Sequence, residues 1–152
     1  MPLLIDMKPG DKIIINGAVI ESAGTHSKLI VHNQAAILRG REVMSEVDVS
    51  TPASRVYFAL QCAYVFPAKE EEYLQLFSGL MGDYLNACPS AEPIISRIYG
   101  LVREGQLYKA LRATQALLSH EYELTQTFNA ELQRQLDEQE QGGGTKAAGP
   151  SA

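Results

Sequence analysis

The chain has 152 residues, 45% of them hydrophobic and 20% charged, with a formal net charge of -5, a profile that fits a small globular protein and excludes a disordered or fibrous one. The acidic total excludes a whole-body basic footprint, so nucleic acid would have to bind a local patch. Two cysteines without CxxC spacing, a start without a basic n-region and no apolar run near ~18 residues argue against a zinc site, a signal peptide and a bilayer span, and predict a cytoplasmic protein with no membrane partner.

The first fifty residues read as strands. A short strand at Leu3–Met7 runs into the Pro9-Gly10 turn. Ile13 to Ile15 and Ala18 to Ile20 flank Asn16-Gly17, the strongest short hairpin signal, because both central residues of a type I′ turn need positive φ. Leu29 to Val31, a turn at Asn33-Gln34 and Ala35 to Leu38 repeat the theme. About five short strands in this span fit a small meander or a two-layer β unit.

From Thr51 the apolar period changes to that of helices. Thr51 is the expected N-cap and Pro52 the first helical residue, with Val56, Leu60, Ala63 and Phe66 as the inward face. A second helix, about Lys69 to Ala87, opens on Glu70, Glu71 and Glu72, which complement the helix dipole; Tyr73, Leu76 or Phe77, Leu80 and Tyr84 form its apolar face. A third has Ser90 as expected N-cap, Ile94, Ile98, Leu101 and Val102 facing inward, and Gly105 as its stop. The last, about Leu107 to Glu140, carries Leu107, Leu111, Leu118, Leu124, Phe128, Leu132 and Leu136, a stripe that thins after Leu118. The expected fold class is therefore α+β: a small antiparallel β unit over residues 1–50, about four helices over 51–141, the last one long, and a flexible tail over 142–152.

Catalytic signatures are missing. The sequence has no GxGxxG, GxxxxGK[ST], GxSxG or HExxH, the three histidines are scattered, and no candidate nucleophile with a base emerges. The prediction is a protein that is not an enzyme and that needs no cofactor or metal. A binding surface is the remaining function class. Arg39 and Arg41, two residues apart on an expected strand, would project to one face, with Gly40 between them admitting a close neighbour. Arginine suits phosphates and base stacking because its fork is planar and weakly hydrated; an ordinary surface ion pair with Glu42 or Glu46 is the alternative. Tyr108, Arg112 and Gln115 share a helical stripe beside Lys109, where the ring either holds a base or covers the β unit.

The ordered set "MKPGDKIIINGAVI", "ILRGREVM", "TPASRVYFALQCAY" and "LYKALRATQALLSHEYEL" resembles the flagellum biosynthesis repressor family FlbT from about Lys8 to about Leu124. The resemblance implies a regulator that acts after transcription, binding the 5′ untranslated region of flagellin mRNA and reducing its translation and lifetime in step with flagellar assembly. It implies flagellin mRNA as partner, with FlaF or flagellin as further partners, and no catalysis. Pro9, Gly10, Asn16 and Gly17, within the matching motifs, have sufficient roles as turn residues. That leaves Lys12, Arg39, Arg41, Arg55, Lys109 and Arg112 as the expected RNA contacts. The alternative function is a protein-binding adaptor or chaperone-like factor of flagellar assembly, working through the long helix, which also suits self-association.

Overall fold

Asn16 (φ +48) and Gly17 (φ +87) both lie in the left-handed region, and between them they turn Lys12–Ile15 (β2) back on Ala18–Glu21 (β3), with Ile15 opposite Ala18. The expected hairpin is present. Asn16 does more than turn: its N–H donates to the Ala36 carbonyl at 2.9 Å and its side-chain Oδ1 accepts from the Ala36 N–H, also at 2.9 Å. This extends the ladder between β2 and Ile37–Arg39 (β5), so the sheet has the order β3-β2-β5. Leu3–Met7 (β1) and Ser27–Val31 (β4) form a second, two-stranded antiparallel sheet with Ile5 opposite Leu29. The arrangement is the two-layer one. Ile5, Met7 and Ile13 are buried between the layers, with Ile15, Leu29, Val31 and Ile37 packed around them.

Residues 2–147 are described by the computed structural model, with side-chain surroundings for residues 2–142. Four helices follow the strands: Pro52–Val65 (α1), Glu70–Ala87 (α2), Glu92–Arg103 (α3) and Leu107–Ala147 (α4). The α+β class and the long last helix are as expected. The chain divides after Leu117 into two units.

Helix α1 starts as its sequence predicts. The Ser54 N–H donates to Thr51 Oγ1 at 3.2 Å, the Thr51 N–H donates to Ser54 Oγ at 2.8 Å, and Pro52 occupies the first turn. Such a reciprocal cap satisfies two of the orphan donors at a helix start. The helix is buried on nearly every side, with Val56 and Leu60 fully enclosed. Phe66 departs from the expectation: it lies past the last turn, half exposed, because Pro67 has no N–H with which to continue the helix.

The other helices differ from expectation in detail. Helix α2 buries Phe77, Met81 and Tyr84 and leaves Leu76 exposed. Ser90 is not the cap of α3: Pro89–Ala91 forms a 3-10 turn and α3 opens at Glu92 behind Ala91. The helix thus starts one residue later than expected; Ile98 is buried as expected, and Ile95 rather than Ile94 is buried with it. Gly105 (φ +74) stops the helix, with the Gln106 N–H returning to the Leu101 carbonyl at 2.9 Å, the left-handed C-cap its position suggested. In α4 the buried residues are Ala110, Leu111, Thr114 and Leu117, so Leu117 rather than Leu118 faces the core. The helix runs past Glu140 through three glycines to Ala147, each glycine at a cost of about 1 kcal/mol relative to alanine. The remainder of the expected tail, 148–152, lies outside the described residues.

Candidate nucleic-acid interface

Three side chains of α1 organise the surface next to β5. Tyr57, Gln61 and Tyr64 fall at helical spacing, on one stripe of an otherwise apolar helix. The Tyr57 hydroxyl donates to the Glu42 carbonyl at 2.5 Å. Gln61 accepts from the Met44 N–H at 2.8 Å and donates to the Met44 carbonyl at 2.9 Å. The Tyr64 hydroxyl accepts from the Ile37 N–H at 3.1 Å and donates back to the Ile37 carbonyl at 3.3 Å. Together they hold the open edge of β5 and the loop that follows it. Neither Gln61 nor Tyr64 stands out in the sequence, where both sit inside the apolar run "YFALQCAYVF"; the one signal is their spacing.

That loop corrects the reading of the two arginines. Strand β5 ends at Arg39, and Gly40–Glu42 forms a 3-10 turn, so strand alternation does not apply to Arg41. Gly40 serves the backbone: its φ is +21 and a β-carbon there would meet nothing within 4 Å. Arg39 and Arg41 nonetheless meet by another route. Both line an open cleft of about 310 Å³ together with Lys12, whose neighbour Ile13 pairs with Arg39 across the sheet. Asp6, Asp11 and Glu42 share its walls. Neither arginine forms an ion pair among the described residues; Asp6 instead engages His26 at 3.1 Å.

Two other clefts follow through shared walls. Arg39 and Glu42 also line a second hollow of about 350 Å³ with Leu3, Leu4, Ile37, Tyr64 and Tyr108. Tyr64 and Tyr108 in turn line a third depression of about 640 Å³, which adds Asn16, Gln34 and Lys109. The two phenol rings lie 5.8 Å apart, tilted by 40°. Shared walls therefore set the three clefts in a band, with Lys12, Arg39 and Arg41 among three carboxylates at one end, aromatic and aliphatic surface in the middle and an amide-rich depression holding Lys109 at the other.

The charges around Tyr108 are coupled. A hydrogen bond to the Glu42 side chain pushes the Tyr108 phenol up, burial and the Glu42 charge add to this, and Arg112 opposes it. Burial pushes Tyr57 up to about 12; a hydrogen bond to Gln115 pulls it back, while Glu42 and Tyr108 add to the rise. Arg112 thus stands beside the band. Arg55 does not join it: it lines a separate, almost wholly apolar groove between α1 and α2. Of the six expected contacts, Lys12, Arg39, Arg41 and Lys109 share the band, Arg112 borders it and Arg55 is elsewhere.

Cations beside paired phenols, among shallow clefts that share walls, set this surface apart from the rest of the fold. Among the described residues no helix is long and apolar enough to cross a membrane, and no group of three His, Cys, Asp or Glu is placed to hold a metal ion. The chain belongs to the FlbT family: the family model described as "Flagellar protein FlbT" matches residues 3–125. It is 31% identical over 131 residues to the probable flagellum biosynthesis repressor protein FlbT 1 of Bradyrhizobium diazoefficiens, covering 86% of this chain and 89% of that one. It is 32% identical over 127 residues to the probable flagellum biosynthesis repressor protein FlbT of Rhodopseudomonas palustris, covering 82% and 98%. The flagellum biosynthesis repressor protein FlbT of Caulobacter vibrioides is 28% identical over 127 residues, with 81% and 89% covered. These relatives are named as repressors of biosynthesis and not as enzymes. No solved structure matches the chain.

Proposed function

We propose that the protein regulates flagellum biosynthesis by binding unpaired RNA in the 5′ untranslated region of flagellin mRNA, along the band from Lys12 to Lys109, and so lowers flagellin translation and mRNA lifetime. The observation that carries this reading is that the three clefts share walls. Single-stranded RNA is bound by cations that follow phosphates and by rings on which bases stack, and Arg39 and Tyr108 line the same hollow.

The acidic total does not oppose it. Residues 1–117 hold eleven Lys/Arg against twelve Asp/Glu, whereas residues 118–152 hold two against six. Most of the net negative charge thus belongs to the second unit and not to the one that carries the band. With so few cations the footprint is a short stretch of nucleotides, not a duplex.

Titration of flagellin leader RNA with wild-type protein and with an Arg39→Ala/Arg41→Ala variant tests the proposal. The variant is expected to bind at least tenfold more weakly. Its log K should also fall less steeply with log salt, by about 0.7 for each phosphate of the single strand that the variant no longer neutralises. Equal affinities and equal salt slopes would remove these arginines from the site.

A further inference from the structure

Arg55 and the exposed half of α4 are both unused by the RNA band, and their chemistries match. Leu124, Phe128, Leu132 and Leu136 recur every four residues, so they form one continuous ridge. All four are at least 41% exposed, Phe128 66%, a run of apolar surface well beyond the scattered single residues of an ordinary surface. Glu131 and Glu138 flank the ridge. Arg134 bridges them at 2.6 and 2.5 Å, which leaves that flank with one net negative charge.

The α1–α2 groove is the counterpart. It encloses about 300 Å³ between Val49, Phe58, Tyr73, Leu76 and Leu80, with Arg55 as its charged lining residue. Leu76 is 53% exposed. Arg55 forms no ion pair among the described residues, so an incoming carboxylate would meet an uncommitted cation.

We propose that the Leu124–Leu136 ridge of one copy of this chain docks in the α1–α2 groove of a second copy, with Glu131 or Glu138 meeting Arg55. Pairing two α4 segments with each other fits less well, because residues 118–142 carry six Asp/Glu against one Lys/Arg and two such segments repel. Reciprocal exchange under a two-fold axis closes the assembly as a dimer, whereas one-way docking would grow filaments.

The test is sedimentation or light scattering of the full chain over a concentration series, for wild type, Arg55→Glu, Glu131→Lys/Glu138→Lys and the three changes combined. All the changed residues are exposed, and circular dichroism verifies that each variant is folded. Wild type should dimerise, each charge-reversed variant should dissociate at least tenfold more readily, and the combined variant should regain most of the loss. A wild type that stays monomeric at every concentration overturns the proposal. So does a combined variant no better than the separate ones, and so does a dimer that responds to the α4 changes but not to Arg55→Glu, since α4 then docks elsewhere. RNA affinity is a separate readout, and its failure leaves this result unaffected.

Discussion

The ring of Phe66 lies against Gly17, so close that a β-carbon built on the glycine would stand 2.7 Å from one ring carbon. The contact joins the tip of the β2–β3 hairpin to the residue that ends α1. Gly17→Ala is expected to destabilise the protein by about 2 kcal/mol, from the strain of φ +87 plus displacement of the ring. Chemical denaturation measures this, and Phe66→Ala in the same background should recover the part due to the ring. No recovery would leave backbone strain as the whole effect.

Gln61→Leu should cost more than its size suggests. The substitution is nearly isosteric, yet it strands both the N–H and the carbonyl of Met44, which Gln61 now satisfies. Unsatisfied buried groups cost about 1–3 kcal/mol each. The midpoint of denaturation should fall accordingly, and RNA affinity should fall with it if the loop from Arg39 to Met44 carries the contacts.

Alkali should unfold the protein through Tyr57. Its phenol is held up at about 12 chiefly by burial, against about 10 in an unfolded chain. The folded state therefore keeps a proton that the unfolded state loses. The associated stability, on the order of 2 kcal/mol, is present in full below pH 10 and disappears as pH rises toward 12. Tyr57→Phe should flatten the fall of stability between pH 10 and 12. An unchanged profile would assign the alkaline transition to another group.

Glu42 should oppose RNA binding. Its carboxylate stands on the walls of both the cationic cleft and the aromatic hollow, and its Oε2 is buried without a hydrogen-bond partner. Glu42→Gln removes one negative charge near Arg39 and Arg41, so RNA should bind about two- to threefold more tightly at low salt, converging with wild type as salt screens the difference. Weaker binding by the variant would assign the carboxylate a direct role in holding RNA or the loop.

The elements legible in the sequence are those with local causes. Asn16-Gly17 dictates its own turn, Thr51-Pro52-Ala53-Ser54 its own cap, and Gly105 its own stop. The misread positions depend on residues far along the chain or on competition between neighbouring signals. Ser90 has the chemistry of a cap, but Pro89 starts a 3-10 turn that absorbs it. Arg41 has the spacing of a strand residue, but the turn at Gly40 removes it from β5. The band itself is half visible: its cations can be named one by one. The packing of Tyr64 against Tyr108, and the hydrogen bonds from Tyr64 to Ile37 across 27 residues, are tertiary facts that no periodicity encodes. Arg55 matches a motif as well as Arg39 does, and only packing separates them.

The stripe Tyr57-Gln61-Tyr64 also determines how the loop can move. Exposed loops usually exchange their amide protons through small local openings. Here the N–H groups of Ile37 and Met44 end on side chains of the most deeply buried helix. Releasing them requires that Tyr64 and Gln61 leave their places, and Gln61 is itself inside the core. Deuterium should therefore enter at Ile37 and Met44 nearly as slowly as in the middle of α1, and far more slowly than at Val47 nearby, which is 89% exposed. A surface held this way keeps its shape before anything touches it.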